Sequence, residues 1–98
     1  MEPTFTFTEP LWLHSGGSWV FVTVPVDDSE DIREFAPDGP GFGSVPVRAE
    51  IGETSWTTSV FPDKKSGCYL LPVKKPVRRA EKVDVGDPVE VTLTVRIL

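Results

Sequence analysis

One cysteine, one histidine, one tyrosine and one methionine are all that 98 residues hold of those types, and each scarcity removes a class of protein. Cys68 has no second cysteine to pair with, so an internal disulfide is excluded, and a thiolate metal cage with it. His14 stands at a glycine turn with no acidic partner close by in sequence, so no catalytic triad can be read around it. The longest apolar run falls far short of the roughly 20 residues of a membrane-spanning helix. No basic segment followed by an apolar one opens the chain, so no secretory signal is expected, and the lone thiol fits a reducing compartment, the cytoplasm. Gly41-Phe42-Gly43 lacks both the helix pattern and the downstream acid of a dinucleotide fingerprint. Catalytic residues, metals and cofactors are therefore expected to be none, and the reading points away from an enzyme. An enzyme using His14, Cys68 or the lysines is the outlying alternative.

What the chain does carry suits one β-rich domain, residues 1–98. Hydrophobic residues make up 39%, and a chain of this length removes roughly 60 to 70% of its unfolded surface on folding, enough for one core without staples. The stretch from Ser59 to Val85 organises the rest. Ser59–Phe61 is β-rich, Pro62-Asp63 opens a turn, Gly67 supplies a positive φ, and Tyr69-Leu70-Leu71 resumes an apolar strand, which together make a hairpin with a charged tip. Pro72 cannot donate to a ladder and should end that strand, whereas Pro76 suits the first turn of a helix. In that helix Val77, Ala80 and Val83 recur on one face, with Lys75, Arg78, Arg79 and Lys82 on the other.

Earlier in the chain, Phe5, Phe7, Leu11 and Leu13 alternate with Thr4, Thr6, Thr8 and Trp12, which predicts a half-buried strand interrupted at Glu9-Pro10 by an edge or bulge. After the turn His14–Ser18, the segment Trp19–Val24 is apolar at every second position on both faces, so a central strand covered on each side is expected. Asp27, Asp28, Ser29, Glu30 and Asp31 offer capping oxygens and negative charge to a short helix whose apolar face would be Ile32, Phe35 and Ala36. A glycine and proline loop, Pro37–Gly43, follows. Val45–Ile51 and Trp56–Phe61 form a further strand pair, and Val89, Val91, Leu93, Val95 and Ile97 mark the clearest one-sided strand. Trp12, Trp19 and Trp56 are expected in the core, as large aromatics of short chains usually are, and Cys68 as a small buried residue.

The two halves echo one another. A strand from Trp19, Pro25, an acidic helix, a glycine loop and the strand from Val45 repeat in pattern as the strand from Tyr69, Pro72, a basic helix, Val85-Gly86-Asp87 and the strand from Val89. Two such halves intertwined make a closed or nearly closed barrel without exposed edges, which predicts a monomer. The run from Gly41-Phe42-Gly43-Ser44-Val45 through Trp56-Thr57-Thr58-Ser59, then SGCYLLPVKKPVRRAEKVDVGDPVEV, resembles the bacterial family called domain of unknown function 1905 over nearly the whole chain. The resemblance implies a mainly β fold: a small, pseudo-twofold double-split β-barrel of about six to seven strands with two short helices. That barrel is similar to the one AbrB-type DNA-binding regulators and MazE-type antitoxins build from two chains. The resemblance implies no activity.

Charge is the remaining signal. Between Lys64 and Lys82 seven basic residues face one acid, Glu81, a net of +6; between Asp27 and Asp38 six acids face one base, Arg33, a net of −5. The chain as a whole carries −5 with a pI near 4.7, which opposes general nucleic-acid binding, since that affinity comes chiefly from positive charge on phosphates. The expected function is a non-enzymatic ligand- or partner-binding module. Its anion or partner site would lie at Lys64, Lys65, Lys74, Lys75, Arg78 and Arg79, with unpaired N–H groups at the start of the basic helix assisting. Its ligand would be a small anion or an acidic protein partner. A nucleic-acid module by analogy with AbrB-type barrels is the runner-up.

Overall fold

Six strands and two helices follow one another as β1 (Thr4–Leu13), β2 (Val20–Thr23), α1 (Val26–Arg33), β3 (Val45–Ile51), β4 (Thr54–Pro62), β5 (Tyr69–Pro72), α2 (Lys75–Glu81) and β6 (Pro88–Val95) in a computed structural model that describes residues 2–36 and 43–97. The strands close into a barrel in the order β1-β2-β5-β4-β3-β6, each antiparallel to its neighbours. The mainly β barrel with two short helices read from the sequence is the observed one, with six strands.

β1 divides its pairing between two neighbours: Thr4–Pro10 lies against β6, and Leu11–Leu13 against β2. Pro10 sits opposite Pro88 at the changeover, where two residues without N–H groups cost the ladder least. The expected interruption at Glu9-Pro10 is therefore neither a bulge nor an open edge. The ladder is carried across it by Leu11 N donating to Asp87 O (3.0 Å) and Gly86 N donating to Leu11 O (2.8 Å). β4 divides in the same way, Thr54–Val60 on β3 and Phe61–Pro62 on β5.

Alternation sets the core. Val20 and Val22 point inward from β2 and Val24 from just beyond it, Val45, Val47, Ala49 and Ile51 from β3, and Val89, Val91, Leu93 and Val95 from β6, all buried in one cluster with Leu11, Tyr69 and Leu71. β-branched valine suits these positions because its stiff χ1 packs well on a pleated surface.

The echo is realised as a pseudo-twofold. Exchanging β1, β2 and β3 with β4, β5 and β6 leaves the strand order unchanged, and the axis runs through the Val22 and Leu71 pair of β2 and β5. Val24 N donates to Tyr69 O and Val73 N to Val20 O, both at 2.9 Å; these are the same bond in the two halves. Beyond the helices the correspondence shifts, Val47 matching Val89 and Ala49 matching Val91 by register. The first half is longer there by as many residues as the run 37–43 supplies. The expected loop Pro37–Gly43, with Asp38 and the Gly41-Phe42 corner, falls outside the described residues except for Gly43, which has φ +67°.

Several expectations about side chains are corrected. α1 starts at Val26 behind Pro25, with no side-chain cap, so Asp27–Asp31 lie inside the helix. Ser29 is instead buried, donating its hydroxyl to Val24 O and accepting from Tyr69 N, each at 3.0 Å. Phe35 is 39% exposed and Ala80 is on the solvent side of α2, leaving Ile32 and Val77 as the buried anchors of the two helices. Trp56 is half-buried and packs against the core, opposite Ala49, as expected, whereas Trp12 lies half-buried on the outer face and Trp19 is 55% exposed. The outer face of β2, at Trp19, Phe21 and Thr23, is likewise not covered. Cys68 is buried and free, as expected of a small apolar side chain.

Candidate functional site

The chain enters α2 through Val73 and Lys74. Val73 N is tied to Val20 O, which brings the end of the β1–β2 turn, Ser18 and Trp19, alongside the start of the helix. Lys74 is extended (φ −72°, ψ 159°) and Pro76 occupies the first turn, where a fixed φ favours helix and a missing N–H costs nothing. Arg78, one turn on, folds back so that its Nε donates to Val73 O at 3.2 Å. Between these parts lies an open pocket of about 330 Å³ lined by Ser18, Trp19, Val20, Val73, Lys74, Lys75 and Arg78. Three cations thus share one concavity with an indole for a wall. Arg78 is half-buried and pinned by its backbone bond, whereas Lys74 and Lys75 are exposed.

A second hollow, about 360 Å³, lies between Lys75, Arg78, Arg79, Lys82, Val83 and Asp84. Lys82 caps α2 in the left-handed region at φ 55°, and the Asp84 carboxylate dilutes the positive charge there. Arg79 belongs to this hollow and not to the first.

Lys64 and Lys65 are not brought to either place. Their turn is closed by Asp63, whose carboxylate accepts from Ser66 Oγ (2.8 Å) and from the backbone N–H of Lys65 and Ser66. The Ser66 bond, with help from those amides and the nearby Lys65 charge, holds the Asp63 carboxyl below its usual value. The far side of the turn docks on α1: Arg33 Nη2 donates to Gly67 O at 2.7 Å and the guanidinium lies 6.0 Å from the centre of the Tyr69 ring. The basic hairpin tip therefore neighbours the acidic helix. α2 is also only Lys75–Glu81, too short for its dipole to add much, so the cations alone account for the positive field.

The outer face of β1, β2, β5 and β4 holds an aromatic groove that sequence reasoning missed. Phe21 sits at its centre, with ring centres 5.4 Å from Trp12, 6.0 Å from His14 and 6.0 Å from Trp19, the last nearly parallel at 9°. His14, Trp19, Phe21, Phe61 and Leu70 enclose about 240 Å³. The signal was present: aromatics at Trp19 and Phe21 alternate with the buried valines Val20 and Val22, so they had to face away from the core. Trp12 is held by its indole N–H donating to Thr23 Oγ1 at 2.9 Å.

His14 is exposed, with the Trp12 and Phe21 rings 6.2 and 6.0 Å away, and its backbone N–H donates to Trp19 O at 2.9 Å. Cys68 Sγ lies 3.8 Å from Ser66 O. Among the described residues no three His, Cys, Asp or Glu side chains are grouped to hold a metal ion. Together these features define a small closed antiparallel β-barrel with an open three-cation pocket beside its second helix. The chain belongs to the family described as domain of unknown function (DUF1905), whose model matches residues 7–93, from within β1 into β6 and across both halves. No curated protein matches it.

Proposed function

We propose that this protein is a non-enzymatic binding module, and that its ligand is a small anion or the acidic group of a protein partner held by Lys74, Lys75 and Arg78. The observation that carries this reading is the pocket of about 330 Å³ those cations share with Trp19. The pseudo-twofold supplies a comparison inside one molecule. At the corresponding place in the other half, Val24, Pro25, Val26 and Ser29 meet Gly67, Cys68 and Tyr69, and the polar groups satisfy one another: Ser29 binds Val24 O and Tyr69 N, and Arg33 binds Gly67 O. The fold does not require three cations at this position, because the matching residues of its other half, Pro25, Val26 and Ser29, carry none.

Chemically, Lys74 and Lys75 act as movable point charges and Arg78 offers a planar fork, a combination suited to phosphate, sulfate or carboxylate. The overall charge of −5 opposes a long polyanion and favours a ligand of one or two charges, which weighs against a nucleic-acid module. On the same reading the protein is a bacterial, cytoplasmic monomer. One free thiol fits a reducing compartment, and no described helix is long and apolar enough to cross a membrane.

Calorimetric titration with inorganic phosphate at low ionic strength tests the reading. The wild-type chain should bind one equivalent, and the Lys74→Glu, Lys75→Glu double variant should bind none while keeping its unfolding midpoint. Equal heats from both proteins would remove the proposal.

A further inference from the structure

The basic pocket and the aromatic groove meet at Trp19, which lines both. We infer that the anion bound at Lys74, Lys75 and Arg78 carries a planar aromatic ring that lies in this groove, so that the ligand is a nucleoside monophosphate. The inference rests on the anion reading above and extends it.

Two features of the groove favour a flat ring. Trp19 and Phe21 are nearly parallel and stand on the outer face of β2, with Trp19 55% exposed; rings held open to water in this way offer faces for stacking. Phe61 from β4, 42% exposed, and Leu70 from β5 form the opposite bank. Among the described residues lining the groove His14 is the one ionisable side chain, so it suits a ligand recognised by its face more than a sugar, which needs several hydrogen-bonding groups. The volumes of about 330 and 240 Å³ together fall in the range of small-molecule sites, roughly 300 to 1,000 Å³.

Charge decides between a free nucleotide and a strand. The acids of α1 and the net charge of −5 repel a run of phosphates, while one phosphate needs only the local cations. The occupant is therefore a single nucleotide.

The test is an amide-shift titration of the whole chain with adenosine 5′-monophosphate, ribose 5-phosphate, hexyl phosphate, inorganic phosphate and a single-stranded hexanucleotide. Adenosine monophosphate should bind about tenfold or more tightly than ribose 5-phosphate, the difference that stacking of one base provides, and should shift Trp19 and Phe21 together with Lys74 and Lys75. Phe61→Ala, at the other bank and outside the basic pocket, should reduce it to the ribose 5-phosphate level and leave inorganic phosphate binding unchanged. Three results would overturn the inference: equal affinity for the two sugar phosphates, hexyl phosphate binding as well as the nucleotide, or a hexanucleotide binding far more tightly than one nucleotide. In each of these inorganic phosphate still binds and the anion reading survives; if phosphate itself does not bind, both fail.

Discussion

Thr92 and Leu93 are neighbours on β6 and face opposite ways. Leu93 is fully buried opposite Ala49 and Phe5, whereas the Thr92 hydroxyl meets that of Thr6 at 3.1 Å on the outside. Leu93→Ala should cost about 2 to 5 kcal/mol in denaturant unfolding, as buried leucine truncations do, and Thr92→Ala well under 1 kcal/mol, since it loses one exposed hydrogen bond. Small and equal losses would put the register of β6 in error. Two aspartates should titrate on opposite sides of the ordinary carboxyl value of 3.8. Asp63 is held low, chiefly by Ser66, so its contribution to stability is present above 3.8 and is lost as pH falls through its depressed folded value. Asp28 is pushed up by burial and then by Asp31 and Asp27, so its contribution is present at low pH and is lost as pH rises through its raised folded value. Carboxyl carbon NMR should find Asp28 titrating at higher pH than Asp63; the reverse order would contradict the contacts assigned to both. Which residues face the core was legible from alternation except at strand ends, where Leu13 and Ile97 continue the pattern but are exposed. Whether the other face is covered was not, because a period of two says nothing about what lies outside the barrel, and that is why Trp19 and Phe21 were misjudged.

At the level of elements, the β3–β4 turn shows how closely α2 is packed. Gly52 has φ +58°, and a Cβ there would stand 2.8 Å from Glu81 Cδ, in a side chain that accepts the Thr54 hydroxyl. Gly52→Ala should destabilise the protein by about 2 kcal/mol, partly from the left-handed backbone and partly from displacing Glu81. In a Glu81→Ala background the same change should cost only the backbone part, about 1 kcal/mol. A full cost in both backgrounds, measured by urea unfolding, would mean the turn and the helix are not coupled. Proline and glycine marked the end of β5, the start of α2 and the β4–β5 turn correctly, because their constraints are local. The start of α1 was misplaced because its acids resemble caps, while the true entry residue, Pro25, uses only its fixed φ. Ser29 was read as one of those caps; its partners, Val24 and Tyr69, come from two different strands. Ala80 continued a helical spacing, yet in this seven-residue helix only Val77 is buried, while Glu81 holds the β3–β4 turn and Ala80 faces solvent.

At the scale of the whole molecule, the strand order that maps onto itself leaves no barrel edge open for a second chain. Sedimentation equilibrium should therefore give a single species of 10.8 kDa across micromolar concentrations; a dimer that persists on dilution would show that the pseudo-twofold does not complete the fold alone. The symmetry was visible in the order of strand, proline, helix and strand, but the candidate site was only half legible. Lys74, Lys75 and Arg78 were named from charge and spacing, whereas Lys64 and Lys65 were grouped with them by proximity in sequence. The chain exchange between halves sends the β4–β5 turn to α1 and the β1–β2 turn to α2, so Trp19, remote in sequence, is the residue that completes the pocket.

That asymmetry between symmetric halves is the central claim, and a single measurement compares the two sides within one sample. Phosphate titrated into uniformly labelled protein should shift the amides of Ser18, Trp19, Val20, Val73, Lys74, Lys75 and Arg78, and leave the matching amides of Val24, Val26, Ser29, Gly67, Cys68 and Tyr69 in place. Shifts of similar size in both sets, or in neither, would contradict the account and reduce the basic residues of α2 to a solvated helix face.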